Sequence, residues 1–466
     1  MSAQTDLQAR SLAAVWHPCT QMARAAVVPP LPIARGVGAW LYDVDGKRYF
    51  DANSSWWVNL FGHSDAGINT AIKQQLDTLP HVMLAGCTHA PAVELAEKLS
   101  ALTGGNLGHT FFASDGASAV EIALKMSFHS WRNLGQADKK EFICLKHGYH
   151  GETIGALAVT DVAVFRDAYD PLLMRAHVAL SPDSRLGPEQ EALALADLRR
   201  VLTERRGLVA ALIIEPLVQC AAGMAMHEPS YLRAVRALCD EFDVHLIADE
   251  IAVGCGRSGT FFAFEQADLE IAGPSQDFQS PSGGGPRIGG PGGSHQRWPD
   301  FVTLSKGISG GTLPLSLVLT TEKVFQSFWS DEVGRGFLHS HSYTGNALAC
   351  AAANAVLDRF AQADVLGQNR GQARLLADAF APLKNDPRIE HLRQRGMILA
   401  FDVKAPGERR LVNFAERFHL AARERELLIR PIGGTVYLMP PYLIDAATAD
   451  FLFDAVMATL NDVAAC

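Results

Sequence analysis

The sequence lacks the patterns that mark several common classes of protein. Its eight cysteines include no C-x-x-C pair and follow no regular spacing, which argues against a disulfide-stapled secreted scaffold and favours a reducing compartment. There is no excess of basic residues, because the net charge is −9 and both signs are interspersed. Neither nucleic acid nor an anionic membrane surface is therefore an expected partner. No apolar run approaches the length of a membrane span, and the first ten residues are mostly polar. We expect a soluble, unprocessed, cytoplasmic protein.

What the sequence does contain is apolar material for a large core. Its 466 residues are 48% apolar, which suffices for two or more domains. Stretches with the helical period alternate with short apolar runs that are typical of buried strands. The helical stretches are residues 92–102, 119–131 and 230–242, and the apolar runs are residues 142–145, 210–214, 244–248 and 301–304. This alternation predicts an α/β fold in which helices flank a mostly parallel sheet.

The same patterns divide the chain into three regions. Residues 1–60 contain a hairpin pattern that turns at Asp45-Gly46, and we expect this segment to pack with the C-terminal domain. Residues 61–345 are predicted to form a large domain, and residues 346–466 a smaller α+β domain. Residues 269–297 are rich in glycine and proline and have few apolar groups, so we expect a flexible, solvated insertion there.

Lys306 follows the apolar run at residues 301–304 and precedes a series of glycines. An amine held at a strand end beside flexible glycines can form a Schiff base with an aldehyde cofactor. Alone, the pattern is more often that of a solvated loop lysine. Asp249 favours the Schiff-base interpretation. It ends another apolar run, and a carboxylate there can pair with the pyridinium nitrogen of pyridoxal phosphate.

A phosphate group would need its own site, and the turn Ser114-Asp115-Gly116-Ala117 offers one. Apolar residues give way here to small polar ones and then to helix formers. The free backbone N–H groups of Asp115, Gly116 and Ala117 would therefore point at one spot. The alternative is an ordinary helix N-terminus with Ser114 or Asp115 as the cap.

Tyr149 lies between two glycines in a loop that follows the run at residues 142–145. Ligands of open α/β sheets bind at such strand ends, where the ring could stack on a planar cofactor. The alternatives are a surface tyrosine or a metal-binding pair of His147 and His150. Because no acidic or thiol ligand accompanies this pair at metal-site spacing, we expect no metal.

Five motifs, in this order along the chain, resemble those of the class III pyridoxal-phosphate aminotransferases. They are Ser114-Asp-Gly-Ala117, Gly148-Tyr-His-Gly-Glu152, Ile214-Glu-Pro216, the segment from Ala248 to Gly259, and Leu304-Ser-Lys-Gly307. The resemblance spans roughly residues 15–445. It implies a fold-type I transferase, and it makes pyridoxal 5′-phosphate the expected cofactor.

Further signatures narrow the resemblance to a branch of this family that acts in biotin synthesis. They are Trp16-His-Pro18, Ser54-Ser-Trp-Trp57, the glycine-rich segment 305–311, and Tyr437-Leu-Met-Pro-Pro-Tyr442. This branch transfers an amino group from S-adenosylmethionine to 8-amino-7-oxononanoate in a ping-pong reaction that yields 7,8-diaminononanoate. Two alternatives stay open: an ω-aminotransferase that uses lysine or another amine as donor, and a non-catalytic protein that binds the cofactor.

The resemblance implies a role for each residue that faces the cofactor. Lys306 would hold the cofactor and move the substrate proton as general base and acid, which requires a lowered pKa. Asp249 would keep the ring nitrogen protonated. The turn from Ser114 to Ala117 would bind the phosphate, and Tyr149 would lie against the ring face.

Other residues are expected at the substrate. Arg430 matches the family arginine that grips the carboxylate of the acceptor, a task that suits a guanidinium fork. The alternative is an arginine that caps a strand or pairs on the surface. Trp56 and Trp57 would form an apolar wall for the aliphatic chain, unless the pair is core packing. Further expected substrate contacts are Tyr149, Lys306, Gly345 and Arg257.

The segment around Ser342 matches a second phosphate contact of the family. Its hydroxyl is expected to reach across a dimer interface into the partner's site, so the resemblance implies a homodimer. The segment can also cap a helix that begins near Ala347. For Arg257, which stands at a family position near the active site, a structural role is equally open.

Three features depart from the family pattern, and one of them is the order of the small polar residues in the turn from Ser114 to Ala117, which backbone donors tolerate. Cys19 stands where relatives have a tyrosine, which removes a ring and a hydroxyl from the expected substrate pocket. Of the assignments that the resemblance implies, the identity of the amino donor is the one that this change weakens most. Asp249 and Lys306 are 306 − 249 = 57 positions apart, more than is usual in the family. The excess falls within residues 269–297, where added loop length costs little.

Overall fold

Two units make up the part of the chain that this computed structural model describes, which is residues 3–268, 298–404 and 413–464. The larger unit is Gly67–Asn369, and the smaller one combines Met1–Ala66 with Arg370–Cys466. The predicted insertion at residues 269–297 lies outside the described residues.

The strands of both units are short. In chain order they are β1 (Ile33–Val37), β2 (Trp40–Asp43), β3 (Arg48–Asp51), β4 (His109–Ala113), β5 (Glu141–Leu145), β6 (His177–Ala179), β7 (Val209–Ile214), β8 (Val218–Gln219), β9 (Ala225–Met226), β10 (His245–Asp249), β11 (Phe301–Leu304), β12 (Ser316–Thr320), β13 (Ile389–Arg395), β14 (Ile398–Val403), β15 (Leu427–Leu428) and β16 (Thr435–Leu438). The four predicted strands are confirmed as β5, β7, β10 and β11.

The α-helices vary in length from one turn to five. In chain order they are α1 (Ala3–Ala14), α2 (Ala66–Thr78), α3 (Ala90–Leu102), α4 (Gly116–Asn133), α5 (Ile154–Ala158), α6 (Ala163–Arg166), α7 (Gln190–Glu204), α8 (Pro229–Phe242), α9 (Glu322–Gln326), α10 (Ala347–Gln362), α11 (Val365–Phe380), α12 (Phe414–Arg423) and α13 (Ala446–Ala464). The three predicted helical stretches are confirmed as α3, α4 and α8. None of the helices in the described ranges is long and apolar enough to cross a membrane.

A seven-stranded sheet in the order β4-β12-β11-β10-β7-β5-β6 forms the centre of the larger unit. Its neighbouring strands are parallel, except that β12 runs antiparallel to both β11 and β4. Every residue of β7 and β10 is buried, as expected of parallel strands that are covered on both faces. The predicted α/β fold with a mostly parallel sheet is confirmed.

The carboxyl ends of the parallel strands lie along one edge of this sheet. Asp249 ends β10, and Leu304 ends β11 next to it. The end of β4 reaches the same edge, because Ala113 and Leu304 pair with adjacent residues at the start of β12. Ligands of open α/β sheets bind at this edge, so we expect the functional site there.

The smaller unit contains two further sheets, β1-β2-β3-β15 and β13-β14-β16. The predicted hairpin is confirmed, since β2 and β3 are antiparallel and Gly46 between them adopts a φ of +87°, which favours glycine. Leu427 in β15 pairs in parallel with Phe50 in β3. The N-terminal segment and the C-terminal region therefore share one sheet.

Helix α10 belongs to the larger unit. It packs on α3, where Asn354 donates a hydrogen bond to the carbonyl of Pro91 at 2.8 Å and Asp358 pairs with Lys98 at 2.6 Å. The border between the units consequently falls between Asn369 and Arg370, about one long helix later in the chain than residue 346, where the sequence patterns change.

We predict a pH-dependent contribution from His245, which begins β10. Its ring stacks on Trp131 and hydrogen-bonds Ser127. Burial lowers the pKa of His245 to about 4; Asp300 opposes this shift, while nearby lysine and arginine charges add to it. The unfolded chain therefore binds the proton more readily, so this ring's contribution to stability falls as pH drops from about 6.5 to about 4.

The unfolding free energy of wild type minus that of His245→Phe should accordingly fall by about 2 kcal/mol from pH 7 to pH 5. Buried carboxyl groups titrate in both proteins, so their contribution drops out of this difference. Chemical denaturation at the two pH values measures the difference, and a difference that stays constant would contradict a neutral buried ring.

Candidate active site

Lys306 lies at the sheet edge, with one residue between it and β11. It opens a short 3-10 helix, Lys306–Ser309, and its φ of +46° is in the left-handed region, an uncommon conformation for a residue other than glycine. Gly310 ends the helix with a φ of +64°, and a Cβ there would lie 2.5 Å from Cδ1 of Ile68. Close packing against Ile68 thus requires a glycine at position 310.

The electrostatic surroundings of Lys306 favour its neutral amine. Burial lowers the pKa of Lys306 below its ordinary value, and the charges of Asp249, Cys220 and Glu215 offset this shift only in part. An amine that loses its proton more easily is a better nucleophile and base near neutral pH. The sequence hypothesis of a lysine with a lowered pKa therefore has a physical basis.

Asp249 is buried at the end of β10, and three hydrogen bonds hold its carboxylate. Oδ2 accepts from Nδ1 of His150 at 2.7 Å. Oδ1 accepts from the backbone N–H of Ile251 at 3.1 Å and, more weakly, from Oγ1 of Thr303 at 3.4 Å. Both oxygens are therefore engaged, and the carboxylate is fixed in one orientation.

His150 is the partner that the sequence analysis considered only as a metal ligand. Its side chain is buried, and because Asp249 accepts the bond, Nδ1 carries the proton. Nε2 is buried without a hydrogen-bond partner in the described part of the chain. The signal that could have found it is positional, since His150 lies in the loop after β5, on the same sheet edge as Asp249.

Glu215 is a second residue whose role the sequence did not reveal. It follows β7, and its two oxygens accept the backbone N–H groups of Tyr149 and Cys220, both at 3.0 Å. Burial raises its pKa to about 7, with Asp249 adding to the shift and His150 opposing it. The carboxyl group thus joins the loop that carries Tyr149 to the short hairpin β8–β9.

Tyr149 is half-buried and held at both ends. Its backbone N–H bonds Glu215, and its hydroxyl donates to Glu152 at 2.9 Å. The ring lies 5.4 Å from that of Phe165, centroid to centroid. These contacts hold the ring in a defined position.

The turn from Ser114 to Ala117 leads from β4 into α4. Asp115 is the N-cap, since its carboxylate accepts the N–H and hydroxyl of Ser118 at 2.9 and 2.8 Å. The capping alternative therefore holds for Asp115, and Ser114 is not the cap. The first-turn N–H groups of Gly116 and Ala117 have no acceptor among the residues described, as is usual at a helix start.

Two glycines let this turn approach its neighbours closely. A Cβ on Gly116 would lie 3.1 Å from Cδ1 of Ile251, and a Cβ on Gly151 would lie 2.6 Å from the Cβ of Ala117. The turn from Ser114 to Ala117, the segment after Asp249 and the loop of Tyr149 are therefore in contact at one place.

The remaining predicted residues of the larger unit lie in turns. Ser342 is exposed, and its carbonyl accepts a hydrogen bond from His81 at 2.9 Å. Gly345 is buried with a φ of +64°, and a Cβ there would lie 2.4 Å from Leu84. Asn346 caps α10 through the N–H of Ala349, so the predicted capped helix is present. Arg257 is buried in the turn after β10, and its charge acts on Cys220.

The two tryptophans belong to a left-handed turn in the smaller unit. Residues 54 to 57 have φ angles of +49°, +48°, +72° and +72°, a run that costs about 1–2 kcal/mol per residue. Buried Asp51 holds it by accepting the N–H and hydroxyl of Ser55 at 2.9 and 2.7 Å. Trp57 is buried and donates to the hydroxyl of Tyr437, whereas Trp56 is 50% exposed.

Arg430 faces this exposed tryptophan. Its guanidinium carbon lies 5.8 Å from the ring centre of Trp56, within the range of a cation–π contact. In the described ranges the guanidinium makes neither a hydrogen bond nor an ion pair. An exposed cation beside an apolar ring suits a ligand in which an aliphatic chain ends in a carboxylate.

Cys19, Trp56 and Arg430 line one cavity of about 550 Å³ in the smaller unit. Arg24 and Glu416 on its wall neutralise each other at 2.5 Å. Arg423, also on the wall, has no carboxylate partner among the described residues. The cavity therefore carries excess positive charge, which favours an anionic ligand.

The sequence matches the family described as Aminotransferase class-III over residues 21–273 and 294–460. The chain therefore belongs to the class III aminotransferases, enzymes that depend on pyridoxal phosphate.

Similar proteins point to one member of that family. The curated adenosylmethionine-8-amino-7-oxononanoate aminotransferase of Helicobacter pylori is 40% identical over 454 residues, which is 95% of this chain and 95% of that protein. The crystal structure of the protein of the same name from Methanocaldococcus jannaschii is 32% identical, with a TM-score of 0.88 over 98% of this chain and 99% of that chain. A PLP-bound (internal aldimine) amine transaminase from an uncultivated Pseudomonas species is 27% identical, with a TM-score of 0.86 over 97% of this chain and 99% of that chain. The expected fold type is confirmed.

We predict that the amine of Lys306 has a pKa below that of an exposed lysine in cofactor-free protein. Mass spectrometry of an amine-reactive label against pH measures this, with exposed Lys146 as the internal reference. Asp249→Asn should lower the pKa of Lys306 further, because Asp249 provides the largest effect that opposes burial. If Lys306 and Lys146 titrate together, or if Asp249→Asn raises the pKa of Lys306, the electrostatic account is contradicted.

Proposed function

We propose that this enzyme transfers an amino group from S-adenosylmethionine to 8-amino-7-oxononanoate, in biotin biosynthesis. The observation that carries the proposal is Lys306, held at the sheet edge with a lowered pKa beside the fixed carboxylate of Asp249. The substrates follow the names of the relatives, which match nearly the full chain.

The residues at the sheet edge fit pyridoxal phosphate. The amine of Lys306 suits its aldehyde, the carboxylate of Asp249 suits its protonated ring nitrogen, and the free amides of Gly116 and Ala117 suit its phosphate. Close approach at Gly151 brings the loop of Tyr149 to the phosphate turn. When bound, the cofactor supplies an aldehyde that accepts amines and a ring that withdraws electrons from the reacting carbon.

The chain contributes proton transfer and orientation. Nζ of Lys306 would accept the proton from the substrate carbon as general base and then donate it at a different carbon as general acid, a role that needs the neutral amine which burial favours. The negative charge of Asp249 would keep the ring nitrogen of the cofactor protonated. His150 fixes the orientation of that carboxylate. Ser114, Asp115 and Ser342 would complete the phosphate site, while Tyr149 would cover the ring face.

The acceptor would be recognised in the smaller unit. Its carboxylate would bind Arg430, and its aliphatic chain would lie on Trp56, with buried Trp57 supporting the turn from below. We propose Gly345 and Arg257 as further substrate contacts. The excess positive charge of the cavity supports a carboxylate as ligand.

We also propose a homodimer that works in the cytoplasm. The support is a series of exposed apolar side chains in the segment that leads to Ser342. Exposed fractions are 71% for Trp329, 75% for Val333, 80% for Leu338 and 64% for Tyr343. Such side chains favour burial against a second copy, which would bring Ser342 close to the partner's site.

An ω-aminotransferase with another amine donor is the second candidate. The observation that favours it is Cys19, which lines the cavity where the family resemblance leads us to expect a tyrosine. Solved structures with 27% and 28% identity are amine and ω-transaminases of the same fold.

The donor can be identified from the first half-reaction. Purified holoenzyme is mixed separately with S-adenosylmethionine, lysine and alanine, and the absorbance of the bound cofactor is followed. S-adenosylmethionine should bleach the band, and Lys306→Ala should show no such reaction. Bleaching by lysine alone would replace the proposed donor, and turnover by Lys306→Ala would contradict the proposed mechanism.

The acceptor assignment is tested with Arg430→Ala. The KM for 8-amino-7-oxononanoate should rise roughly tenfold to a hundredfold, because a charge-assisted pair is lost, while the half-reaction with donor is unchanged. Arg425→Ala is the matched control, since Arg425 pairs with Asp462 at the surface of the same unit. Equal damage to both half-reactions would indicate a structural arginine instead.

A further inference from the structure

Side chains hold the peptide between Ile429 and Arg430 from both sides. The carbonyl of Ile429 accepts a hydrogen bond from Nδ1 of His419 at 2.7 Å. The N–H of Arg430 donates to Oδ1 of Asn53 at 2.8 Å. Both side chains are buried, so water does not compete readily for these bonds.

The bond to Ile429 fixes the tautomer of His419. A carbonyl only accepts, so Nδ1 carries the proton and Nε2 is left as an acceptor. Nη2 of Arg423 donates to that nitrogen at 2.5 Å, and Nη1 of Arg423 donates to the carbonyl of Pro29 at 2.8 Å. Burial and the neighbouring arginine charges lower the pKa of His419 to about 4, so the ring is neutral at working pH.

Asn53 connects the same peptide to the left-handed turn. Its Nδ2 donates to the carbonyl of Tyr437 at 3.0 Å, which orients the amide so that Oδ1 faces Arg430. Its own carbonyl accepts the N–H of Trp57 at 2.8 Å. One residue therefore sets both the turn that carries Trp56 and the backbone that carries Arg430.

Nothing else in the described residues holds the guanidinium of Arg430. It is exposed and makes no hydrogen bond there, and its contact with Trp56 is a non-directional one at 5.8 Å. The direction of the side chain therefore depends on the backbone from which it extends. A small displacement of a group that positions a substrate can lower the reaction rate strongly.

We propose that His419 and Asn53 are positioning residues for Arg430, and that through it they set the affinity for the carboxylate of the acceptor. The inference rests on the proposed function of Arg430. His419 lines the same cavity as Arg430, but the proposal gives it no direct role in binding the acceptor. It acts through the Ile429–Arg430 peptide, so its effect must vanish when the guanidinium is absent.

The test is a double-mutant cycle with His419→Leu and Arg430→Ala in the holoenzyme. His419→Leu should raise the KM for 8-amino-7-oxononanoate about fivefold, the size expected for one buried hydrogen bond, and leave the half-reaction with donor unchanged. In the Arg430→Ala background it should raise KM no further. His419→Asn keeps a donor near the position of Nδ1 and should stay within about twofold of wild type.

Thr459→Val is the matched control, because it removes one buried bond to a carbonyl in α13 of the same unit. It should change melting temperature without changing this KM. If His419→Leu does not fold, Asn53→Ala takes its place in the cycle, since it removes the opposite bond of the same peptide.

The outcomes separate the two claims. If Arg430→Ala does not raise KM, the proposed function of Arg430 fails. If Arg430→Ala raises KM but His419→Leu has no effect, or the same effect in both backgrounds, the positioning role is overturned and His419 is only structural.

Discussion

The attraction between Lys306 and the buried carboxylate of Asp249 is the interaction on which the larger unit's site depends. Burial alone favours a neutral amine, and Asp249 limits that effect, so their balance sets the protonation of Lys306. The carboxylate can act in this way because His150, Ile251 and Thr303 hold it in one orientation. Sheet topology supplies the rest, since β10 and β11 are parallel neighbours that end at the same edge.

The smaller unit holds an exposed cation, the guanidinium of Arg430, in a defined place. It uses backbone geometry that is unfavourable in itself: four successive residues with positive φ, stabilised by Asp51 and Asn53. Strain of this kind persists only where surrounding contacts over-determine the structure. The turn presents Trp56, and the peptide that Asn53 and His419 hold presents Arg430.

Much of the larger unit could be predicted from the sequence, because its strands are apolar runs, Asp249 ends one of them and Lys306 lies two positions after the end of another. The antiparallel direction of β12 could not, since an apolar run carries no sign of direction. His150 and Glu215 were missed as partners because hydrogen bonds between loops of different strands leave no local pattern. The left-handed turn was equally hidden, since Ser-Ser-Trp-Trp contains no residue that favours positive φ. The assigned roles of the site residues stay predictions.

The central claim is that Lys306 is the residue that holds the cofactor. Borohydride reduction of the holoenzyme followed by peptide mass mapping tests it most directly, because reduction makes the link between amine and cofactor permanent. The account predicts one phosphopyridoxyl group per chain, on the peptide that contains Lys306. A label on a different lysine, or holoenzyme that carries no reducible link, would contradict it.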